Sequence, residues 1–191
     1  MSTIRSGNQA VLLVVDVQAG VVATAWEAPR VVANVARVVA RAREQRVPVI
    51  WVQHDDEDLP RGSAAWQLAE GLAPAEGEAR VFKQYNSSFE ATDLDAELAR
   101  HQASHIVLAG AASNWCIRAT AYGALERGYD LTLVKDAHTT RDMELPGGAR
   151  VEAARIVDEL NIAMTWLSYP GRSNATATAE EVDFAGVKPA A

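Results

Sequence analysis

Three residues that lie far apart in the sequence, Asp16, Lys83 and Cys116, together carry the groups that nucleophilic catalysis requires. A carboxylate can accept a proton, an ammonium can stabilise a nearby anion, and a deprotonated thiol is a strong nucleophile. Asp16 follows the apolar run 10–15, where a carboxylate without a partner would be energetically costly. Each residue alone also has an ordinary structural interpretation, as a capping acid, a surface lysine or an inert buried thiol. Their combination predicts a nucleophilic site if the fold brings them together.

The residues around Cys116 favour a reactive thiol. The apolar run 105–109 leads into the small residues 110–112 and then into a helical pattern that ends at Gly128. The thiol would therefore lie in the first turn of a helix, where unpaired N–H groups and the helix dipole stabilise a thiolate. The small residues leave backbone N–H groups accessible, as an oxyanion hole requires, although a tight turn would need small residues equally.

Apolar runs alternate with helical periodicities along the chain, and this alternation must position the three residues. The valine-rich run 10–16 lacks polar alternation and predicts a buried parallel strand. Further strands are predicted over 48–53, 79–82, 105–109, 131–134 and 162–166. Helices are predicted over 29–46, 93–102, 115–127 and 149–160. Six strands that alternate with helices predict an α/β fold built on a mostly parallel sheet.

The composition favours a single domain over residues 1–191 with a small molecule as its partner. The formal net charge is -7, which argues against nucleic acid or an anionic membrane surface as a partner. The single cysteine can form no internal disulfide, and the apolar run 10–15 is too short for a signal peptide or a membrane span. We therefore expect a soluble, cytoplasmic protein. Residues 170–191 show little periodicity and are predicted to form a C-terminal arm that lies on the domain or on a neighbouring subunit.

Ligands of open α/β sheets bind beyond the carboxyl ends of the strands, so polar and aromatic residues in those segments are candidates for substrate binding. The candidates are Gln18, Trp26, His54, Tyr85, Ser88, Asn114 and Trp115. Trp66 and Phe89 could extend an aromatic wall, although core packing explains Phe89 equally well. His101 and His105 are predicted to lie at the surface. Asp136 and His138 are predicted to support the loop that follows a strand.

Four segments, taken together, resemble the isochorismatase-like cysteine hydrolase superfamily. They are residues 13–18 (LVVDVQ), residues 82–89 with Phe-Lys and Ser-Ser-Phe, residues 110–117 (GAASNWCI) and residues 134–138 (VKDAH). The resemblance covers about residues 10–166, and the order and spacing of the segments make it specific. It implies a Rossmann-like, three-layer α/β/α sandwich with six parallel strands in the order 3-2-1-4-5-6, and a homo-oligomer.

The same resemblance assigns the family's catalytic triad to Asp16, Lys83 and Cys116. It implies a cis peptide between Ala111 and Ala112, and an oxyanion hole made by the N–H groups of Ala112 and Cys116. In the mechanism that follows, Asp16 takes the thiol proton while Lys83 holds the carboxylate, and the thiolate attacks a carbonyl carbon. A thioester forms, and water then releases the acid. The expected substrate is a small molecule with a C–N bond, in an amide or a lactam.

No metal or other cofactor is expected. Metal-dependent relatives place an Asp-x-His pair after the second strand and another histidine downstream, whereas this chain has Gln-His-Asp-Asp at 53–56 and no further histidine before His101. His54 with Asp56 leaves a weak mononuclear metal site as an alternative. Two other functions also remain open: an isochorismatase-type vinyl-ether hydrolase, which needs a carboxylate but no thiol, and a non-catalytic small-molecule-binding homologue.

Overall fold

The computed structural model describes residues 2–185. In chain order the strands are β1 (Gln9–Val15), β2 (Val49–His54), β3 (Ala79–Lys83), β4 (Ala103–Ala111), β5 (Asp130–Thr139), β6 (Met143–Glu144), β7 (Arg150–Val151) and β8 (Asn174–Ala177). The helices are α1 (Ala19–Val22), α2 (Ala28–Glu44), α3 (Leu94–Arg100), α4 (Arg118–Glu126) and α5 (Ala153–Trp166), and a π-helix covers Ser113–Ile117. Over residues 2–185, none of the helices has the length and apolar character needed to cross a lipid bilayer.

Six of the strands form one sheet in the order β3-β2-β1-β4-β5-β8, and all its neighbouring strands are parallel. The predicted strand order is therefore confirmed. The two short strands β6 and β7 form a separate antiparallel hairpin. Because β1 and β4 are buried along almost their whole length, the continuous apolar runs that predicted them reflect strands covered on both faces.

Helices cover both faces of the sheet and bury two hydrophobic cores. Leu12 and Val14 of β1 pack in the core that includes α2, whereas Val11, Leu13 and Val15 pack in the core that includes α3, α4 and α5. Successive side chains of a strand point to opposite faces, so β1 contributes to both cores alternately. This arrangement is the three-layer α/β/α sandwich that the resemblance implies.

The prediction of the sixth strand was wrong. Residues 162–166 continue α5, and the apolar Ile162 and Trp166 lie four residues apart on a helix face that is exposed to solvent. The true edge strand is β8, which pairs with β5 from Leu131 opposite Asn174 to Val134 opposite Ala177. Periodicity missed it because a short edge strand of small and polar residues needs no apolar run.

The prediction of a C-terminal arm over 170–191 also needs correction. Its residues 174–177 complete the sheet as β8, and Ala179, Val182 and Phe184 are buried in the core that contains α2. Asp136 fixes this segment, because its carboxylate Oδ1 accepts a hydrogen bond of 2.8 Å from the N–H of Ala179. Residues 186–191 of the predicted arm lie outside the described residues.

Gly110 allows β4 to pass close to β1 at the end of the sheet that leads to Cys116. Its φ is +134°, and an added Cβ would lie 1.9 Å from the carbonyl oxygen of Val15. We expect Gly110→Ala to lower the free energy of unfolding by about 3 kcal/mol or more, because the backbone of β1 must move. Gly147→Ala is the control: φ is +91° there, but no atom lies within 4 Å of the added Cβ. Urea denaturation measures both variants, and equal losses would contradict the clash.

His105, predicted to lie at the surface, is buried in β4. Its Nε2 lies 2.9 Å from the hydroxyl oxygen of Thr132 on β5. Burial lowers the pKa of His105 from 6.5 to about 4, and burial likewise lowers the pKa of His138 to about 4. Both histidines are therefore neutral in the folded protein at neutral pH.

These two histidines make the stability depend on pH in acid. Above about pH 6.5 neither state binds the protons, whereas between pH 6.5 and 4 the unfolded chain takes them up and the folded chain does not. The free energy of unfolding should therefore fall through this interval, by up to about 3 kcal/mol for each histidine. Urea denaturation at about pH 7.5 and 5 should show a smaller fall in His105→Gln than in the wild type. An unchanged fall would contradict a depressed pKa for His105.

Candidate active site

Three elements bring Asp16, Lys83 and Cys116 to one edge of the sheet. Asp16 directly follows β1, Lys83 is the last residue of β3, and Cys116 lies in the π-helix after β4. Because these strands are parallel, their carboxyl ends meet at the same edge. Asp16 adopts a left-handed conformation, with φ of +52°, and its N–H donates to the carbonyl of Val52 on β2. The sheet thus holds the backbone of Asp16 and Lys83, and Cys116 lies in the π-helix that follows β4 at the same edge.

The side chain of Lys83 contacts both other residues of the predicted triad. Its ammonium Nζ lies 2.7 Å from Oδ2 of Asp16 and donates to Sγ of Cys116 over 3.2 Å. The side chains of Lys83 and Asp16 are 0% and 2% exposed. Within residues 2–185, Oδ1 of Asp16 has no hydrogen-bond partner. The site is therefore a buried ion pair that contacts a thiol, with one carboxylate oxygen left to accept a proton.

The charges in this cluster determine its protonation. Burial alone would lower the pKa of Lys83, but the charges of Asp16 and Cys116 outweigh it and raise that pKa above its usual value. Burial and the negative charge of Asp16 raise the pKa of Cys116 to about 12, against the opposing effect of Lys83. The resting thiol is therefore protonated. The sequence predicts that a helix terminus stabilises the thiolate, but burial and the nearby carboxylate of Asp16 outweigh that effect.

Asn86 is a neighbour of the thiol that the sequence interpretation missed. The S–H group of Cys116 lies 3.9 Å from Oδ1 of Asn86, and the Nζ of Lys83 donates to the carbonyl of Tyr85 over 3.2 Å. Both Tyr85 and Asn86 belong to the loop directly after β3. Nothing in the residue type of Asn86 distinguishes it from other loop asparagines, and only its distance from Lys83 in the sequence offers a signal.

The turn before Cys116 contains the predicted cis peptide between Ala111 and Ala112. The carbonyl oxygen of Ala112 accepts hydrogen bonds from the N–H groups of Trp115 and Ile117, at 3.0 and 3.1 Å. These bonds hold the loop that carries Cys116. The assignment of the N–H groups of Ala112 and Cys116 to an oxyanion hole stays a prediction.

Some predicted substrate-binding residues are open to a ligand. Tyr85 and Trp115 are 56% and 55% exposed, and they lie in the segments that carry Lys83 and Cys116. Trp26 is half-buried, and its N–H donates to the carbonyl of Thr140 over 2.8 Å. The exposed rings of Tyr85 and Trp115 can therefore contact a substrate.

Other predicted substrate-binding residues are occupied by contacts within the protein. Gln18 is fully buried, and its amide donates to the carbonyls of His54 and Trp66 and accepts from the N–H of His54. Ser88 is also fully buried and lies 2.8 Å from the hydroxyl of Thr120. Gln18 and Ser88 therefore support the site without exposing their side chains.

The structure also shows the surroundings of Asn114, Trp66 and Phe89, which the sequence places near the substrate. Asn114 accepts a hydrogen bond of 2.6 Å from the hydroxyl of Thr140. Trp66 and Phe89 are buried, and the ring of Phe89 stacks on that of Tyr129 with 6.3 Å between centroids. Core packing is thus the correct interpretation of Phe89.

His138 and Asp136 lie within β5 and not in a loop after it, although both hold neighbouring segments through side-chain hydrogen bonds. Nδ1 of His138 lies 2.8 Å from Oγ of Ser113, and its Nε2 lies 3.0 Å from Oδ1 of Asn161. The imidazole therefore joins β5 to the π-helix that carries Cys116 and to α5.

His54 reaches the triad from the end of β2. Its Nδ1 lies 3.4 Å from Nζ of Lys83, and its Nε2 lies 3.0 Å from Oδ2 of Asp56. A cleft of about 710 Å³ lies beside it, lined by Asp55, Asp56, Glu57, Pro60, Arg61, Gln84 and Tyr85. Across residues 2–185, no group of three or more histidine, cysteine, aspartate or glutamate side chains is arranged to hold a metal ion.

Comparisons with known proteins place this geometry in a family. The chain matches the profile of the isochorismatase domain over residues 10–161. It is 34% identical over 145 residues to streptothricin hydrolase of Streptomyces noursei, which covers 72% of this chain and 57% of that protein. It is 34% identical over 89 residues to maleamate amidohydrolase of Pseudomonas putida KT2440, which covers 46% of this chain and 42% of that protein.

The fold agrees with the sequence comparison. The solved structure of an isochorismatase from Pseudomonas putida KT2440 has a TM-score of 0.78 and 26% identity, over 91% of this chain and 89% of that one. The matched stretch spans about half the length of the two curated relatives. The domain profile itself runs from the start of β1 into α5 and includes all three residues of the triad. The chain therefore belongs to the isochorismatase family of hydrolases.

Proposed function

We propose that the protein is a metal-independent cysteine hydrolase that cleaves a C–N bond of a small amide or lactam through a thioester on Cys116. One observation carries this proposal: the buried ammonium of Lys83 contacts the carboxylate of Asp16 at 2.7 Å and the sulfur of Cys116 at 3.2 Å. A base and a nucleophile that both contact one buried cation are the groups that acyl transfer requires.

The protonation of the resting site sets the first step. Because the thiol is neutral, Asp16 takes its proton as Sγ bonds to the substrate carbonyl carbon, and the electron pair of the C=O bond moves to oxygen. In this proposal the N–H groups of Ala112 and Cys116 hold that oxyanion. Lys83 remains charged throughout and balances the negative charge that passes between Asp16 and sulfur.

Collapse of the first intermediate breaks the C–N bond. The leaving nitrogen takes the proton from Asp16, and the acyl group remains on Sγ as a thioester. Asp16 then takes a proton from water as the water oxygen attacks the thioester. The second intermediate expels sulfur, which recovers the proton from Asp16, and the carboxylic acid is released.

Among the relatives, maleamate amidohydrolase supports C–N bond cleavage by its name, and streptothricin hydrolase supports hydrolysis of a small molecule. The exposed rings of Tyr85 and Trp115 favour a substrate with flat or apolar surface, and the acidic residues that line the neighbouring cleft favour one without excess negative charge.

The test is a substrate panel of maleamate, streptothricin and small primary amides and lactams, with products identified by mass spectrometry. The proposal expects an acid and an amine or ammonia from at least one class, and no product with Cys116→Ala. Cleavage of isochorismate that survives Cys116→Ala would instead indicate vinyl-ether hydrolysis. Saturable binding without turnover of any compound would indicate a binding protein. Either result would overturn the proposal.

A further inference from the structure

The ammonium of Lys83 has more acceptors than protons. Four acceptor atoms lie within hydrogen-bond distance of Nζ: Oδ2 of Asp16 at 2.7 Å, Sγ of Cys116 at 3.2 Å, the carbonyl oxygen of Tyr85 at 3.2 Å and Nδ1 of His54 at 3.4 Å. An ammonium has three N–H groups. The direction of those groups, and so the position of the charge relative to sulfur, depends on which acceptors the protein holds in place.

The backbone of His54, the last residue of β2, is held by the buried amide of Gln18. Its N–H donates to Oε1 of Gln18 over 2.8 Å, and its carbonyl accepts from Nε2 of the same amide over 3.0 Å. Since Gln18 is fully buried, the backbone of His54 is clamped from both sides.

Asp56 determines which nitrogen of His54 carries the proton. Oδ2 of Asp56 lies 3.0 Å from Nε2, while Oδ1 accepts from the N–H groups of Asp58 and Leu59 at 2.9 and 2.7 Å. A carboxylate can only accept, so Nε2 must carry a proton, and Nδ1 must be bare to accept from the ammonium. The ring therefore presents a lone pair to Lys83.

We propose that His54 is a positioning residue of the hydrolase: it holds the ammonium of Lys83 beside the sulfur of Cys116, in an orientation that Gln18 and Asp56 fix. The assignment rests on the proposed function, in which Lys83 balances the charge on sulfur. His54 acts through Lys83, and no contact between His54 and sulfur is required. The sequence also predicts that His54 contacts substrate. The present role does not depend on that contact, because the lone pair of Nδ1 is directed at Lys83.

The thiol itself can report on this role, so no substrate is needed. Cys116 is the only cysteine of the chain, and the rate of its alkylation by iodoacetamide follows the thiolate fraction. In His54→Leu no acceptor remains at the position of Nδ1. In His54→Asn the amide oxygen takes the place of Nδ1, although the shorter side chain cannot reach Asp56. His101→Leu is the matched control, since His101 lies at the end of α3.

Intact-mass measurements at about pH 8.5 give the alkylation rates. We expect His54→Leu to react roughly three- to tenfold more slowly than the wild type, which corresponds to about half to one pKa unit. His54→Asn should react within about twofold of the wild type, and His101→Leu should be unchanged. If His54→Leu does not fold, His54→Gln replaces it, because its amide reaches toward Asp56 and leaves no acceptor at Nδ1.

Two results would overturn this assignment. Equal rates in the wild type and His54→Leu would show that Lys83 does not need the acceptor. Equal slowing in His54→Leu and His54→Asn would show that the imidazole acts only by filling space. Failure of the proposed function is seen separately, as a wild-type protein that hydrolyses no member of the amide panel while its thiol still responds to His54.

Discussion

Replacement of Cys116 by alanine should reduce amide hydrolysis by at least about 10⁴-fold, because the thioester pathway has no other nucleophile at the site. At this position sulfur accepts a hydrogen bond from Lys83 and lies 3.9 Å from Oδ1 of Asn86, and the side chain packs at the edge of the core that includes α3, α4 and α5. The fold should therefore survive, and the thermal midpoint should change by only a few degrees. Steady-state rates on the best compound of the panel, with circular dichroism as the folding control, measure both effects.

Cys116→Ser removes the reactive thiol but keeps the size and shape of the side chain. Serine keeps the shape and a hydrogen-bonding atom near Lys83, but its hydroxyl is much harder to deprotonate than a thiol. We expect Cys116→Ser to bind substrate like the wild type and to hydrolyse it about as poorly as Cys116→Ala. If either variant keeps most of the wild-type rate, the carboxylate alone catalyses the reaction, as in the vinyl-ether alternative.

Replacement of Asp16 by asparagine should change hydrolysis and alkylation in opposite directions. The variant lacks the general base, so kcat should fall by about 10²- to 10⁴-fold. The charge of Asp16 raises the pKa of Cys116, so its removal should increase the thiolate fraction and speed the reaction with iodoacetamide at a fixed pH. A general loss of structure would also expose the thiol and speed its alkylation, so circular dichroism must show that Asp16→Asn is folded under the assay conditions.

Lys83→Met is the matched control for the sign of that effect. Lys83 lowers the pKa of Cys116, so its loss should slow alkylation, whereas Asp16→Asn speeds it. Lys83→Met also leaves the carboxylate of Asp16 buried without its cation, which should cost several kcal/mol of stability. Parallel alkylation profiles of the wild type and both variants between about pH 7 and 10 test the two signs together. Alkylation that is equally slow in both variants would contradict the charge assignment.

The convergence of Asp16, Lys83 and Cys116 was predictable because each lies at or beyond the carboxyl end of a predicted strand. In a parallel sheet the carboxyl ends share one edge, so Asp16, Lys83 and Cys116 had to converge once their strands were identified. The direct contact between Lys83 and sulfur depends on side-chain conformation and could not be predicted. The protonated state of the thiol was also beyond the sequence, since it results from the burial and charge of Asp16.

The wrong predictions about the fold and the burial of side chains have physical causes that a sequence pattern does not reveal. The apolar residues Ile162 and Trp166 predict a strand, but they lie on an exposed face of α5. His105 appears polar in sequence, yet its partner Thr132 lies on the neighbouring strand and lets the imidazole be buried. Gln18 was predicted to bind substrate because its true partners, the backbone carbonyls of His54 and Trp66, are distant in the sequence.

The most direct test of catalysis through Cys116 is capture of the acyl group on its sulfur. Wild-type protein would be mixed with the best amide of the panel and quenched in acid within the first turnovers. Its intact mass would then be measured by mass spectrometry. We expect a mass increase equal to the acyl portion of the substrate, localised to the peptide that contains Cys116 and released by hydroxylamine. Rapid turnover with no such adduct, together with full activity of Cys116→Ala, would contradict it.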